Sequence, residues 1–226
     1  SSDLKEAPMM PKHYSTSQRA SFERGEMKLL QRKLDKWVDT THGSDAPHVR
    51  DYRELFRLYV LIVSYSGIRP GEEMSSLYWR DVRYERDGGQ DYVFLKVITS
   101  KNKKGEKLSR AVVAMPQLKE AIEYFKTIPH LYNKNKPIFI HPISTQLGKG
   151  FVGEPIKSFK KQWEAFISWA GLKYEKEAPH RPRALYSIRH YYFEQRILNS
   201  DASLIMLAKN GGTSIQVLEK WYAHIK

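Results

Sequence analysis

The chain has 226 residues, contains no cysteine and carries a formal net charge of +13 at pH 7. This length is enough for one large domain with a substantial core, and we expect one domain. Without cysteine, the chain has no disulfides, thiolate metal ligands or cysteine nucleophiles. Lys and Arg recur along most of the sequence, which favours a polyanionic partner, with nucleic acid ahead of an anionic membrane.

No segment of the sequence resembles a membrane span or a signal peptide. The longest apolar stretch, residues 55–63, is interrupted by Arg57 and is too short to cross a bilayer. We therefore expect a cytoplasmic protein, of the bacterial cytosol or nucleoid, that does not bind membranes. Residues 1–17 contain prolines and no sustained apolar period, which predicts a lead-in or linker. Because the chain begins Ser-Ser without methionine, we expect parts of the natural protein to be missing.

Two helices are predicted before the first motif. Over residues 22–38, apolar side chains recur at steps of three and four, which is typical of an amphipathic helix. Residues 49–65 are more apolar and predict a core helix. This second helix ends at Ser66-Gly67 and so delivers Arg69 to the loop that follows it.

A small sheet and further helices are predicted in the rest of the chain. Residues 82–84, 92–98 and 108–115 are β-prone and are separated by turn signals, which predicts an antiparallel meander with a cationic second turn. The other expected elements are helices at 116–126, 155–170, 185–198, 201–209 and 214–222, and a strand at 137–140. The predicted fold class is therefore α+β, mainly α, with a small antiparallel sheet.

Three separated motifs carry groups suited to phosphodiester cleavage. Residues 66–72 read Ser-Gly-Ile-Arg-Pro-Gly-Glu, residues 186–190 read Tyr-Ser-Ile-Arg-His, and residues 222–224 read Tyr-Ala-His. Two guanidinium groups can hold a phosphate by bidentate hydrogen bonds, and a tyrosine hydroxyl can act as a covalent nucleophile. The motifs therefore indicate DNA strand exchange.

In this order the motifs resemble those of the tyrosine recombinases, the phage integrase family. The resemblance runs from about Phe22 to the end and implies a catalytic domain over residues 18–226, with an N-terminal DNA-binding domain outside this sequence. It implies a transesterification without a metal or other cofactor, in which Tyr222 forms a 3′-phosphotyrosine with DNA. Arg69 and Arg189 then hold the phosphate, and Glu72 takes the acidic supporting position.

The resemblance also assigns a role to the cationic turn, where residues 99–105 read Thr-Ser-Lys-Asn-Lys-Lys-Gly. In the family, a lysine of this hairpin protonates the departing 5′ oxygen, and Lys101 fits the position best. Lys103 and Lys104 are predicted to contact phosphates. Either of them remains an alternative for the general acid.

Two positions depart from the family pattern. Tyr186 stands where the family usually has histidine; its phenol can hydrogen-bond a phosphate, but the easy proton exchange of an imidazole is lost. The general base therefore stays open. Thr213 occupies a slot often held by histidine or tryptophan, but residues 213–216 also form a capping-box pattern, so capping and catalysis both remain open.

A second His-x-x-Arg pattern occurs at residues 180–183. Its Pro182 breaks a helix, so we interpret the segment as a loop that contacts phosphates. Arg181 and Arg183 are accordingly predicted to bind DNA.

The resemblance implies double-stranded DNA as the partner. It further implies a homotetramer on paired sites for the full-length protein and a monomer for residues 1–226 alone. The biological role that it implies is that of an integrase of a phage or genomic island. The alternatives are a type IB topoisomerase-like enzyme, an integrase-derived DNA-binding protein with impaired catalysis, and a basic scaffold without a DNA role.

Overall fold

A computed structural model describes residues 20–40, 47–98, 108–142, 153–176, 178–199 and 202–222. The predicted lead-in and the cationic turn lie outside these ranges. The helices are α1 (Arg24–Asp39), α2 (Pro47–Ser66), α3 (Glu72–Ser75), α4 (Leu118–Lys126), α5 (Lys160–Trp169), α6 (Leu185–Asn199), α7 (Leu204–Gly211) and α8 (Ile215–Tyr222). The strands are β1 (Val82–Asp87), β2 (Gln90–Ile98) and β3 (Ser109–Ala114). This mainly α architecture with one small sheet confirms the predicted fold class.

The segment around residues 137–155 differs from its prediction. The strand expected at 137–140 is reduced to isolated bridges, Tyr78 with Pro137 and Ile140 with Pro155. Proline has no N–H to give to a ladder, which explains why pairing does not spread from these bridges. The following helix begins at Lys160, five residues later than expected.

Helix α2 is the centre of the larger hydrophobic core. Helices α1, α4 and α6 and strand β3 all pack against it. Most of its apolar side chains are fully buried, and Phe56 makes ring contacts with Phe159 and Phe166 at 5.9 and 5.6 Å between centroids. None of the described helices is long and apolar enough to cross a membrane.

The sheet is an antiparallel meander with β2 in the middle. Val93, Leu95 and Val97 alternate along β2 and are fully buried on one face, as a half-buried strand requires. On β3, Val112 and Ala114 continue the same inward alternation. This register determines which way the side chain of residue 110 points.

A second, smaller cluster joins α6, α7 and α8. Its buried members include Tyr192, Phe193 and Tyr222. Asn210 near the end of α7 fixes this unit to the sheet, because its Oδ1 accepts from the backbone N of Val113 at 2.7 Å and its Nδ2 donates to the Tyr192 hydroxyl at 3.2 Å. These bonds hold α7 against both β3 and α6.

Candidate active site

Arg69 is placed by a sharp turn at the end of α2. Gly67 has φ 66°, and a Cβ atom there would collide with the ring of Tyr192. Glycine avoids both the left-handed strain and this collision. The chain therefore turns at Gly67, and Arg69 lies in the short connection between α2 and α3.

The carboxylate that holds Arg69 belongs to Glu73. Its Oε1 accepts from Nη1 of Arg69 at 3.0 Å, and its Oε2 accepts from the Arg69 backbone N at 3.1 Å. Glu72, which the sequence assigned to this supporting position, is exposed on the outer side of α3. The prediction was one residue out, because α3 is a single turn whose buried side falls on Glu73.

Arg110 completes this ion-pair group and was missed from the sequence. Its Nη1 and Nη2 donate to the two oxygens of Glu73 at 2.9 and 2.8 Å. Burial alone raises the pKa of Glu73, but the hydrogen bonds and charges of Arg110 and Arg69 outweigh it and hold that pKa below its ordinary value. The available signal was strand alternation, which puts residue 110 on the buried face with Val112 and Ala114.

Arg189 lies almost wholly inside the protein, with 3% of its surface exposed. Its Nη1 donates to the carbonyl oxygen of Gly67, and its Nη2 donates to that of Gly211 at 2.8 Å. The guanidinium also stacks over the ring of Phe193 at 4.9 Å. Burial lowers the pKa of Arg189 to about 10.

The two motif arginines converge on the end of α7. Nη2 of Arg69 donates to the carbonyl of Gly212, next to the Gly211 carbonyl that Arg189 contacts. Among the described residues, the ion pairs of Arg69 and Arg110 both go to Glu73. Arg69 and Arg110 thus share one carboxylate, and Arg189 lies beside them. The cluster therefore has an excess of positive charge, which favours binding of an anion.

Tyr186 and Thr213 both lie near this cluster. The Tyr186 ring is 5.7 Å from the Arg189 guanidinium carbon and is half-buried. Thr213 follows Gly212 directly, and its backbone N donates to Ala208 at 2.9 Å. Ser214 caps α8, since its Oγ accepts from Val217 N at 3.3 Å, so the capping role expected for Thr213 belongs to its neighbour. A catalytic role for the Thr213 side chain stays a prediction.

Tyr222, the proposed nucleophile, is in contact with a histidine. Its hydroxyl oxygen lies 2.7 Å from Nδ1 of His190, and both side chains are buried. The His190 ring is also 5.5 Å from that of Tyr186, one helical turn earlier on α6. From the sequence, His190 belonged to a motif but was not assigned to the site. The i, i+4 spacing from Tyr186 was the signal that puts the two rings on one face.

The second His-x-x-Arg segment lies elsewhere and contradicts one prediction. Arg183 is 4% exposed, and its Nη2 donates to Glu26 at 2.6 Å while its other nitrogens bond backbone carbonyls. This guanidinium holds the N-terminal segment in place, so the prediction that it binds DNA was wrong. Arg181 is partly exposed and pairs with Glu175 at 3.4 Å; its contact with DNA stays a prediction.

Lys101, Lys103 and Lys104 lie outside the described residues, so the choice of general acid stays a prediction. Within the described ranges, no group of three or more His, Asp or Glu side chains is arranged to hold a metal ion. The groups that the structure does bring together are guanidiniums, one carboxylate, phenols and an imidazole.

Several solved structures are similar to this chain. The XerH site-specific recombinase, bound to palindromic difH substrate in a post-cleavage complex, matches with a TM-score of 0.59 and 18% identity, over 99% of this chain and 55% of that chain. The Tn1549 transposon integrase (residues 82–397), in complex with circular intermediate DNA, matches with a TM-score of 0.57 and 12% identity, over 93% of this chain and 64% of that chain.

The catalytic domain of bacteriophage HP1 integrase matches with a TM-score of 0.50 and 14% identity, over 92% of this chain and 88% of that chain. No protein-family model matches the chain, and no curated protein matches it by sequence. This chain spans less than two thirds of the XerH and Tn1549 chains. At these identities the likeness shows the fold, which is the one that the motifs predicted.

Proposed function

We propose that this chain, which has the fold of a tyrosine recombinase catalytic domain, cleaves and rejoins DNA strands through a phosphotyrosine at Tyr222. The observation that carries the proposal is the convergence of Arg69 and Arg189 on adjacent carbonyls at the end of α7. These residues are 120 positions apart in the chain (189 − 69), yet the fold brings their guanidiniums to one point. The Tyr222 ring lies 5.9 Å from the ring of Phe193, over which the Arg189 guanidinium stacks.

The arginines provide the electrostatic part of the chemistry. A phosphate that enters the site replaces the backbone carbonyls as the acceptor for Arg69 and Arg189, whose N–H groups then follow the charge that builds on the non-bridging oxygens. Loss of one such donor costs about 10²–10³ in rate. Glu73 and Arg110 keep Arg69 in place for this contact.

The covalent step exchanges one phosphodiester for another. The Tyr222 oxygen attacks phosphorus, the bond to the 5′ oxygen breaks, and a lysine of the cationic turn, Lys101 or a neighbour, protonates the leaving oxygen. The 3′-phosphotyrosine conserves the bond energy, so a free 5′ hydroxyl can reverse the reaction and rejoin the strand. No metal ion takes part in this scheme.

The wider biological role is part of the proposal. Recombinases that pair two DNA sites act as tetramers, and we place the full-length protein in this class, serving a phage or a genomic island in the bacterial cytosol. A type IB topoisomerase-like activity is the alternative. Relaxation of supercoiled DNA at single sites, without joining of two sites, would favour that alternative.

The direct test is covalent capture. The protein is incubated with a nicked suicide duplex, and denaturing gels detect a protein–DNA adduct. We expect an adduct for the wild type and for Tyr174→Phe, an exposed tyrosine used as the matched control, and none for Tyr222→Phe. Salt-sensitive DNA binding without an adduct would instead support an integrase-derived DNA-binding protein with impaired catalysis.

A further inference from the structure

The phenol of Tyr222 needs a group that removes its proton when it attacks phosphorus. A phenol has an ordinary pKa near 10, so little phenolate is present at neutral pH and a neighbouring base accelerates the attack. Tyr186 stands at the position of the usual histidine, and its own phenol is no better a base. A proton acceptor at another position in this chain would supply the base that the family pattern places at residue 186.

We propose that His190 is this proton acceptor, which rests on the proposed function of Tyr222. Nδ1 of His190 lies 2.7 Å from the Tyr222 hydroxyl oxygen, a hydrogen-bond distance at which a proton can pass directly. His190 follows Tyr186 by one turn of α6, so an imidazole is present on the same helical face but four residues further along.

His190 lies in a buried and largely aromatic part of the site. The neighbours of the imidazole include the rings of Tyr186, Trp221 and Tyr222, at 5.5, 6.2 and 5.9 Å between ring centroids. Neutral imidazole with its proton on Nε2 can accept the hydrogen bond of the phenol at Nδ1.

The proton balance of the step is complete. As the Tyr222 oxygen forms its bond to phosphorus, its proton moves to Nδ1 of His190, and the leaving 5′ oxygen takes a proton from the lysine of the cationic turn. In rejoining, the 5′ hydroxyl gives its proton back to the lysine as its oxygen bonds to phosphorus, and the imidazolium returns its proton to the phenol as the phosphotyrosine bond breaks. His190 is therefore a catalytic residue, since it touches the reacting oxygen.

Two substitutions separate proton transfer from mere positioning. Asparagine can keep a hydrogen-bonding atom near the place of Nδ1 but cannot accept a proton at neutral pH. We expect His190→Asn and His190→Ala each to slow adduct formation on the suicide duplex by about 10²-fold or more. Added free imidazole should restore part of the rate of His190→Ala, whose cavity it can enter, and none of the rate of Tyr222→Phe.

A duplex with sulfur in place of the leaving 5′ oxygen sharpens the assignment. A thiolate leaves without protonation, so this substrate should restore the rate of a variant of the general acid, such as Lys101→Ala, but leave the His190 variants slow. Thermal unfolding and DNA binding of each variant establish that it is folded.

The outcomes distinguish this inference from the proposed function. An unaltered cleavage rate for folded His190→Asn would show that the hydrogen bond between His190 and Tyr222 is only structural. That result would overturn the inference but not the proposed function. Failure of the wild type to form any adduct would overturn both. Recovery of the His190 variants on the sulfur substrate would place His190 on the leaving-group side and also contradict the inference.

Discussion

Two arginines close together in the chain, Arg183 and Arg189, are buried to the same degree and serve different purposes. They expose 4% and 3% of their surfaces. Arg183 is neutralised by Glu26 and bonds the carbonyls of three further residues. Arg189 bonds two carbonyls and lies beside the charge of Arg69. Charge balance, and not burial, distinguishes the arginine that holds the fold from the one available to a phosphate.

The difference has a physical basis in what a carboxylate partner does. A buried guanidinium with a carboxylate to itself, as Arg183 has in Glu26, forms a balanced pair and attracts an incoming anion less than one whose charge is in excess. A buried guanidinium whose hydrogen bonds go to carbonyl oxygens, as those of Arg189 do, keeps its charge in a medium of low polarity, where an anion binds strongly. Substitutions at the two positions should therefore affect different properties.

The largest effect on stability is expected at the neutralised arginine. Arg183→Met leaves the carboxylate of Glu26 without its partner, which should lower the free energy of unfolding by about 3–5 kcal/mol. Urea denaturation measures this change. A loss below about 1 kcal/mol, less than an ordinary hydrogen bond to a charged group, would show that Arg183 does not anchor the N-terminal segment.

The next largest effect is on chemistry. Arg189→Met should reduce adduct formation by at least about 10²–10³, because one donor to the developing charge is lost. Its free energy of unfolding, measured by urea denaturation, should fall by less than half as much as that of Arg183→Met. The reason is that removing the Arg189 cation leaves no buried carboxylate unpaired. Equal stability losses with intact cleavage would reverse the roles assigned to the two arginines.

A pH-dependent effect is expected near Arg183. Burial raises the pKa of Glu194 to about 7, and Ser21 donates to its carboxyl group at 2.6 Å. Because the folded state binds this proton more tightly than the unfolded state, stability should fall as pH rises from the ordinary glutamate value towards 7. Glu194→Gln should remove this loss and be more stable than the wild type at pH 8 by on the order of 2 kcal/mol.

The comparison between pH values is the control for Glu194→Gln. At about pH 4 both proteins carry a largely neutral side chain at position 194, so the difference in unfolding free energy should vanish. A gain of the same size at both pH values would show that the glutamine acts through packing and not through the charge.

The smallest effect concerns the backbone that carries the site. Gly212 has φ 62°, and a Cβ atom there would lie 2.6 Å from the guanidinium carbon of Arg110. Gly212→Ala should cost about 1 kcal/mol in stability and also slow cleavage, because Arg110 must shift and move Glu73 with it. Gly153→Ala is the matched control, with φ 82° and no atom within 4 Å. Equal cleavage rates for the two variants would show that Arg110 does not support the site.

Most helices and strands were predictable because apolar residues recur along them at regular helical or strand spacing. Helix α6 begins at Leu185 as predicted and ends one residue later than expected, and the three strands overlap their predicted positions. The short α3 was not foreseen, because a single helical turn is too short to show a repeating apolar pattern. The loss of the strand at 137–140 was not foreseen either, because the pairing of that segment depends on residues distant in the chain.

The candidate site was predictable in its motif arginines and less so in their partners. The carboxylate is Glu73 and not Glu72, because the tertiary packing of α3 selects the buried side. Arg183 looked like a surface cation, but Glu26, 157 positions away, neutralises it. The contact between His190 and Tyr222 likewise joins two elements that only the folded chain brings together.

A crystal structure of Tyr222→Phe with an uncleaved duplex would show directly where the scissile phosphate lies. We predict a phosphate whose non-bridging oxygens are within hydrogen-bond distance of both Arg69 and Arg189, with residue 222 facing the phosphorus. A duplex bound only through exposed lysines, with Arg189 still bonded to the carbonyls of Gly67 and Gly211, would contradict the proposed role of the two arginines.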